Sequence, residues 1–247
     1  MRDTILETKE LDLSFGSIQA VKQVSIQIPS GQVTALVGDN GAGKSTLIKI
    51  LTGALKKDAG EIWVRGNLEE INDPSDAFRL GIAAVYQDLA LIENRNVVMN
   101  MFLGMELTHG PFNLFLDHKK MLRESQNLLD EIHSRIPSAT EVVRKLSGGQ
   151  RQAVAVGRIL LRGSEIIIMD EPTAALGVEQ TQEVLQLIKS LRANGKTVIL
   201  ISHNINQVFE VADQISVMFN GELIGSRFVN DTRPEQIISM IMGRNNS

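Results

Sequence analysis

Apolar and polar residues alternate along Leu11-Asp12-Leu13-Ser14-Phe15 before Gly16, and again along Val24-Ser25-Ile26-Gln27-Ile28 before Pro29-Ser30-Gly31. Each segment predicts a strand with one buried face. Val33 to Val37 is nearly continuous in its apolar character and runs into a glycine-rich turn, as a parallel strand covered on both faces does. Glu61 to Gly66 predicts a further strand returning to the early sheet. From about residue 88 to 162 the pattern changes to helix and loop, with methionine-rich patches and few strand candidates. In the last third, Ile166 to Met169 and Val198 to Ile201 are buried-strand runs, and Val184, Leu185, Ile188 and Leu191 recur between them at helical spacing. This strand–helix–strand rhythm predicts an α/β fold built on a parallel sheet. No internal repeat or linker is visible, so the expectation is one domain spanning 1–247. Its core would be 1–87 with 163–247, and 88–162 a mostly helical insertion.

Composition narrows the class. Of the 247 residues 43% are hydrophobic and 22% charged, the balance of an ordinary globular protein. The net charge of −4 gives no electrostatic case for nucleic-acid binding. The absence of cysteine excludes disulfides, thiol catalysis and thiolate-held zinc, and the four histidines stand too far apart for metal-ligand spacing. No apolar stretch approaches the roughly 20 residues that span a bilayer. Met1-Arg2-Asp3-Thr4 is followed by no signal-peptide core. The expectation is an intracellular chain that does not itself cross a membrane.

Three segments carry candidate chemistry. Gly38-Asp39-Asn40-Gly41-Ala42-Gly43-Lys44-Ser45 fits G-x-x-x-x-G-K-[ST] between a strand and an apolar-periodic helix. There the backbone N–H groups curl around phosphate oxygens, Lys44 neutralises the β- and γ-phosphates, and the Ser45 hydroxyl can ligate Mg²⁺. Ile166 to Glu171 is an apolar strand delivering two carboxylates to its C-terminal edge, where open α/β sheets bind ligands. Asp170 is the candidate for Mg²⁺. Glu171, expected to point the other way by strand alternation, is the candidate general base for an attacking water. Leu146-Ser147-Gly148-Gly149-Gln150 opens a second helix whose N-terminus suits an anion, with Ser147 as its cap. One site does not need two such helix ends this far apart in sequence, so the simplest use of the second is to close over the nucleotide of another copy.

With L-S-G-G-Q the chain resembles the ATP-binding subunits of ABC transporters, and the resemblance runs over essentially its whole length. It implies a P-loop NTPase core with a parallel sheet, an N-terminal antiparallel β subdomain and an inserted helical subdomain carrying the signature motif. It also implies ATP hydrolysis coupled to transmembrane transport. By the same resemblance Phe15 stacks on adenine, the ATP-binding run extends through Thr46, Gln87 contacts Mg²⁺ and water and relays to membrane subunits, and His203 touches the γ-phosphate. The partners implied are permease subunits, a second ATP-binding subunit in a homodimer and, indirectly, an extracytoplasmic solute-binding protein. The place implied is the cytoplasmic face of the membrane. Gly38 to Thr46, Ala84 to Gln87, Asn100 to Gly104 and Met169 to Gly177 resemble the monosaccharide-importer branch, with one copy of each motif. Import of another solute, or export, is the alternative. Gly177 departs from the family pattern, which places an aspartate there to contact the partner across the dimer. Val97 to Met105 reads either as helical-subdomain core or as a soft groove for a short helix of a membrane subunit.

Overall fold

A computed structural model describes residues 3–110, 112 and 114–243. The signal-peptide reading involves Met1 and Arg2, which lie outside the described residues. The chain opens with β1 (Thr4–Phe15), β2 (Ile18–Val24), β3 (Gln27–Pro29), β4 (Val33–Gly38), α1 (Lys44–Leu51), β5 (Ala59–Val64) and β6 (Asn67–Glu69). Next come α2 (Pro74–Arg79), β7 (Ile82–Val85), α3 (Val97–Met101), the short hairpin β8 (Thr108–His109) and β9 (Phe115–Leu116), α4 (His118–Glu131) and α5 (Gly148–Leu161). The last third is β10 (Ile166–Asp170), α6 (Val178–Ala193), β11 (Thr197–Ile201), α7 (Ile205–Val211), β12 (Gln214–Phe219), β13 (Glu222–Phe228) and α8 (Pro234–Ile241).

The central sheet has the order β13-β12-β4-β11-β10-β7, parallel except for β13. Its inner strands are buried on both faces, which explains their unbroken apolar runs. Ile167, Met169, Val198 and Leu200 face a core shared with α3, α4, α5 and α6, while Ile166, Ile168, Ile199 and Ile201 face α1 and the antiparallel β2-β1-β5-β6 layer. The α/β core, antiparallel layer and helical part expected from the resemblance are all present.

One local expectation changes, and one open alternative divides residue by residue. The segment from Val24 to Ile28 is not one strand: β2 ends at Val24 and β3 starts at Gln27. The buried Thr8 hydroxyl sits in the break, donating to Val24 O at 2.9 Å and accepting from Ile26 N at 3.1 Å. A side chain thus satisfies backbone groups that the ladder leaves. In the run from Val97 to Met105, Val97, Val98, Met101 and Phe102 are core, and only Met99, Leu103, Gly104 and Met105 reach the surface. Fully buried Asn100 holds the preceding loop, accepting from Ile92 N at 2.7 Å and donating to Ile92 O and Asn96 O at 3.0 Å.

Candidate active site

The phosphate-loop motif sits where β4 hands the chain to α1. Gly43 caps α1 with φ 98°, and a Cβ there would collide with Ala20 O, so β2 runs hard against the loop. Phe15 pairs with Ile18 at the end of the same β1–β2 hairpin and is 51% exposed, so it is a surface platform rather than a core aromatic. Lys44 is only 9% exposed; its Nζ donates to Gly38 O at 2.8 Å and Asp39 O at 2.9 Å. Burial pushes its pKa below the ordinary lysine range, opposed by the carboxylates of Glu171, Asp39 and Asp170.

β10 delivers Asp170 to its edge, half-buried, and burial followed by the neighbouring Glu171 charge pushes its pKa up. Lys44 and Lys49 oppose that shift. The strand ends there, so alternation does not aim Glu171. Instead Glu171 takes a left-handed φ of 49°, donates its N–H to Ile201 O at 3.0 Å, and swings its carboxylate to His203 Nδ1 at 2.8 Å. An ionised carboxylate only accepts, so Nδ1 carries the proton and Nε2 is the free end of the ring. Sequence spacing gave no sign of this pair, because the two residues are 32 positions apart and meet only through the β10–β11 ladder.

Gln87 lies exposed two residues beyond β7. The loop after it is gripped from α5, where Arg158 donates to Leu89 O at 2.9 Å and Ala90 O at 3.0 Å. At the other end of α5, Ser147 and Gln150 form a reciprocal cap: Gln150 N donates to Ser147 Oγ at 3.1 Å and Ser147 N to Gln150 Oε1 at 2.9 Å. Gly148 and Gly149 pack against α6 so closely that a Cβ on either would overlap Leu176 or Glu183. Leu146 is buried. The structure therefore gathers Lys44, Asp170, Glu171 and His203 into one group, and gives the Leu146 to Gln150 segment a separate set of neighbours on α6.

Donor chemistry at the first group fits Mg²⁺. The Asp170 carboxylate is a hard oxygen donor of the kind Mg²⁺ takes, the Ser45 hydroxyl beside Lys44 in sequence and the Gln87 amide are of the same donor class, and Asp170 and Glu171 concentrate negative charge that a dication would relieve. No cluster of three or more His, Asp or Glu side chains of metal-binding form occurs among the described residues, so this is not a closed protein cage. Mg²⁺ typically uses one or two carboxylates plus substrate phosphates, and Asp170 offers one such carboxylate. No helix among the described residues is long and apolar enough to cross a membrane.

Residues 21–174 match the family model described as ABC transporter. The chain is 46% identical over 237 residues to the xylose/arabinose import ATP-binding protein of Sulfolobus acidocaldarius, covering 96% of this chain and 93% of that one. It is 38% identical over 240 residues to the ribose import ATP-binding protein of Yersinia pestis, covering 97% of this chain but 46% of the relative, so it spans about half of that protein's length. Among solved structures it resembles the dimeric post-hydrolysis state of an ATP-binding cassette bound to ADP and Pi, with a TM-score of 0.72, 26% identity, and coverage of 91% and 99%. A strand-borne phosphate loop, a carboxylate pair at the sheet edge and a separately mounted L-S-G-G-Q helix coincide with these matches, and the chain belongs to the ABC transporter family as one of its ATP-binding proteins.

Proposed function

We propose that the protein binds and hydrolyses ATP at a composite site of two copies and so powers import of a monosaccharide through permease subunits at the cytoplasmic face of a membrane. The observation that carries the hydrolytic reading is the Glu171–His203 pair, held at 2.8 Å beside the Lys44 loop. In this reading the Gly38 to Thr46 backbone and Lys44 hold the triphosphate, and Phe15 takes the adenine on its exposed face. Ser45, Asp170 and Gln87 would hold Mg²⁺, which neutralises phosphate charge when bound. Glu171 takes a proton from water as its oxygen attacks the γ-phosphorus. The bond to the β–γ bridging oxygen breaks, giving ADP and phosphate. His203 holds the Glu171 carboxylate in place through Nδ1 and turns Nε2 to the γ-phosphate.

The Leu146 to Gln150 helix end belongs, in this reading, to the partner's ATP, as its separate neighbours and the dimeric relative suggest. Residues 88–162 form the helical part on a core of 1–87 and 163–247. Gln87, on the loop that Arg158 grips, carries the signal to the permease. A solute-binding protein is engaged only through the permease. The sugar assignment rests on the xylose/arabinose and ribose import relatives; loss of labelled pentose uptake on gene deletion, in a panel of sugars, tests it. For the chemistry, Glu171→Gln keeps shape but accepts no proton. ATP should still bind, turnover should fall by about 10²–10⁴, and an ATP-dependent dimer should accumulate on size exclusion. Wild-type turnover in that variant rejects Glu171 as the base.

A further inference from the structure

The signature serine is already engaged within its own chain. Ser147 Oγ accepts from Gln150 N at 3.1 Å and donates its one hydrogen to Glu183 Oε2, on α6, at 2.9 Å. That carboxylate lies directly on the first turn of α5: a Cβ at Gly149 would overlap Glu183 Oε2. Glu183 therefore occupies the positive end of the α5 dipole, the place that favours a phosphate. It is half-buried on the wall of a cleft of about 540 Å³ beside Gly149 and Gln150.

We propose that Glu183 is a positioning residue that sets the ATP concentration at which two copies close. It holds the Ser147 hydroxyl in the open protomer and must yield it to the γ-phosphate of the partner's ATP. This rests on the head-to-tail reading above. The physical basis is competition. A phosphate is an acceptor, as a carboxylate is, and Ser147 has one hydrogen to give. An incoming phosphate also meets the Glu183 charge at short range, so closure requires both the exchange of that hydrogen bond and the approach of two anions. In return, Glu183 fixes the serine rotamer and the orientation of the α5 end before ATP arrives.

The test uses the full chain in the Glu171→Gln background, with Mg²⁺, titrating ATP and following dimer by light scattering. Glu183→Gln keeps the length and an acceptor but removes the charge. It should lower the half-maximal ATP for dimerisation about three- to tenfold. Fluorescent ATP binding to the dilute monomer, through its own Lys44 loop, should not move. Glu183→Ala removes charge and bond together and should shift the midpoint the same way, which keeps the test open if the glutamine chain folds poorly. With Ser147→Ala added, the effect of Glu183→Gln should shrink, since part of it acts through the hydroxyl. A dimer that forms at an unchanged or higher ATP midpoint in both Glu183 variants overturns the proposal alone. If the chain with Glu183 intact forms no ATP-dependent dimer at any concentration, the head-to-tail reading falls and this proposal falls with it.

Discussion

Lys44 and Asp170 are both held against their preferred protonation by burial, and each is partly rescued by the other's charge. Such a site costs the free chain stability that a bound nucleotide and cation would restore. Asp170→Asn removes one buried charge without changing shape, so the nucleotide-free chain should gain about 1 kcal/mol, or about 2–4 °C in Tm. The sign with pH follows from the raised Asp170 pKa. Below the ordinary value near 3.8 the residue is neutral in both folded and unfolded chains and imposes no penalty. The penalty builds as pH rises toward the folded value and is complete above it. The variant's advantage should therefore grow as pH rises above 3.8 and vanish below it, in melts followed by circular dichroism. A variant that melts earlier than wild type at neutral pH contradicts this account. ATP with Mg²⁺ should stabilise the wild type more than Asp170→Asn, which keeps the phosphate loop but loses a cation ligand.

At the scale of elements, Gly177 stands where the family resemblance leads one to expect an aspartate. It caps α6 with φ −70° and ψ 170°, an extended conformation open to any residue, and its Cβ position meets nothing within 4 Å. Glycine is therefore not required there for local structure. Gly177→Asp should cap α6 through its carboxylate and reduce unfolded-chain freedom, raising stability by about 0.5–1 kcal/mol. Urea unfolding measures this, and a loss of stability would contradict the open, extended geometry at Gly177. Gly148 and Gly149 are the opposite case. Their lack of side chains lets α5 lie on α6, so the glycines of the signature are needed inside one chain before any partner arrives. Element patterns were legible where burial is simple: β4, β10 and β11 follow directly from their apolar runs. The break after Val24 was not, because alternation continues through Ser25 and Ile26 while Thr8, sixteen positions before Val24, takes over the backbone bonds.

At the scale of the molecule, the two-copy arrangement makes a quantitative demand. In the proposed arrangement each site would take Lys44 from one chain and Ser147 from the other, so a two-fold pair would have two equivalent sites. A mixture of Lys44→Ala and Ser147→Arg chains produces mixed dimers with one doubly damaged site and one intact site. ATPase activity should rise well above either homodimer, toward about a quarter of wild type if half the dimers are mixed and each site works independently. No recovery, in a mixture whose mixed dimers are verified by differential tagging, rejects independent composite sites.

The amino-acid sequence alone determined the α/β class, the phosphate loop, the carboxylate pair and the L-S-G-G-Q helix. In each case the signal is local: an apolar period, a glycine spacing or a capping residue acting within a few positions. It also identified Gly177 as a departure. Relations between distant segments were decided only by the tertiary structure. The ladder between β10 and β11 brings Glu171 to His203, and the left-handed turn at Glu171, rather than strand alternation, aims its carboxylate. Packing of α5 on α6 hands the Ser147 hydrogen to Glu183, a residue no motif marks. Packing of α3 on α5 and α4 puts Val97, Val98, Met101 and Phe102 inside and leaves Met99 and Met105 part-buried and Leu103 exposed, a choice that composition leaves open. Side-chain contacts between separate elements depend on how those elements pack, and periodicity within one segment carries no record of its neighbour.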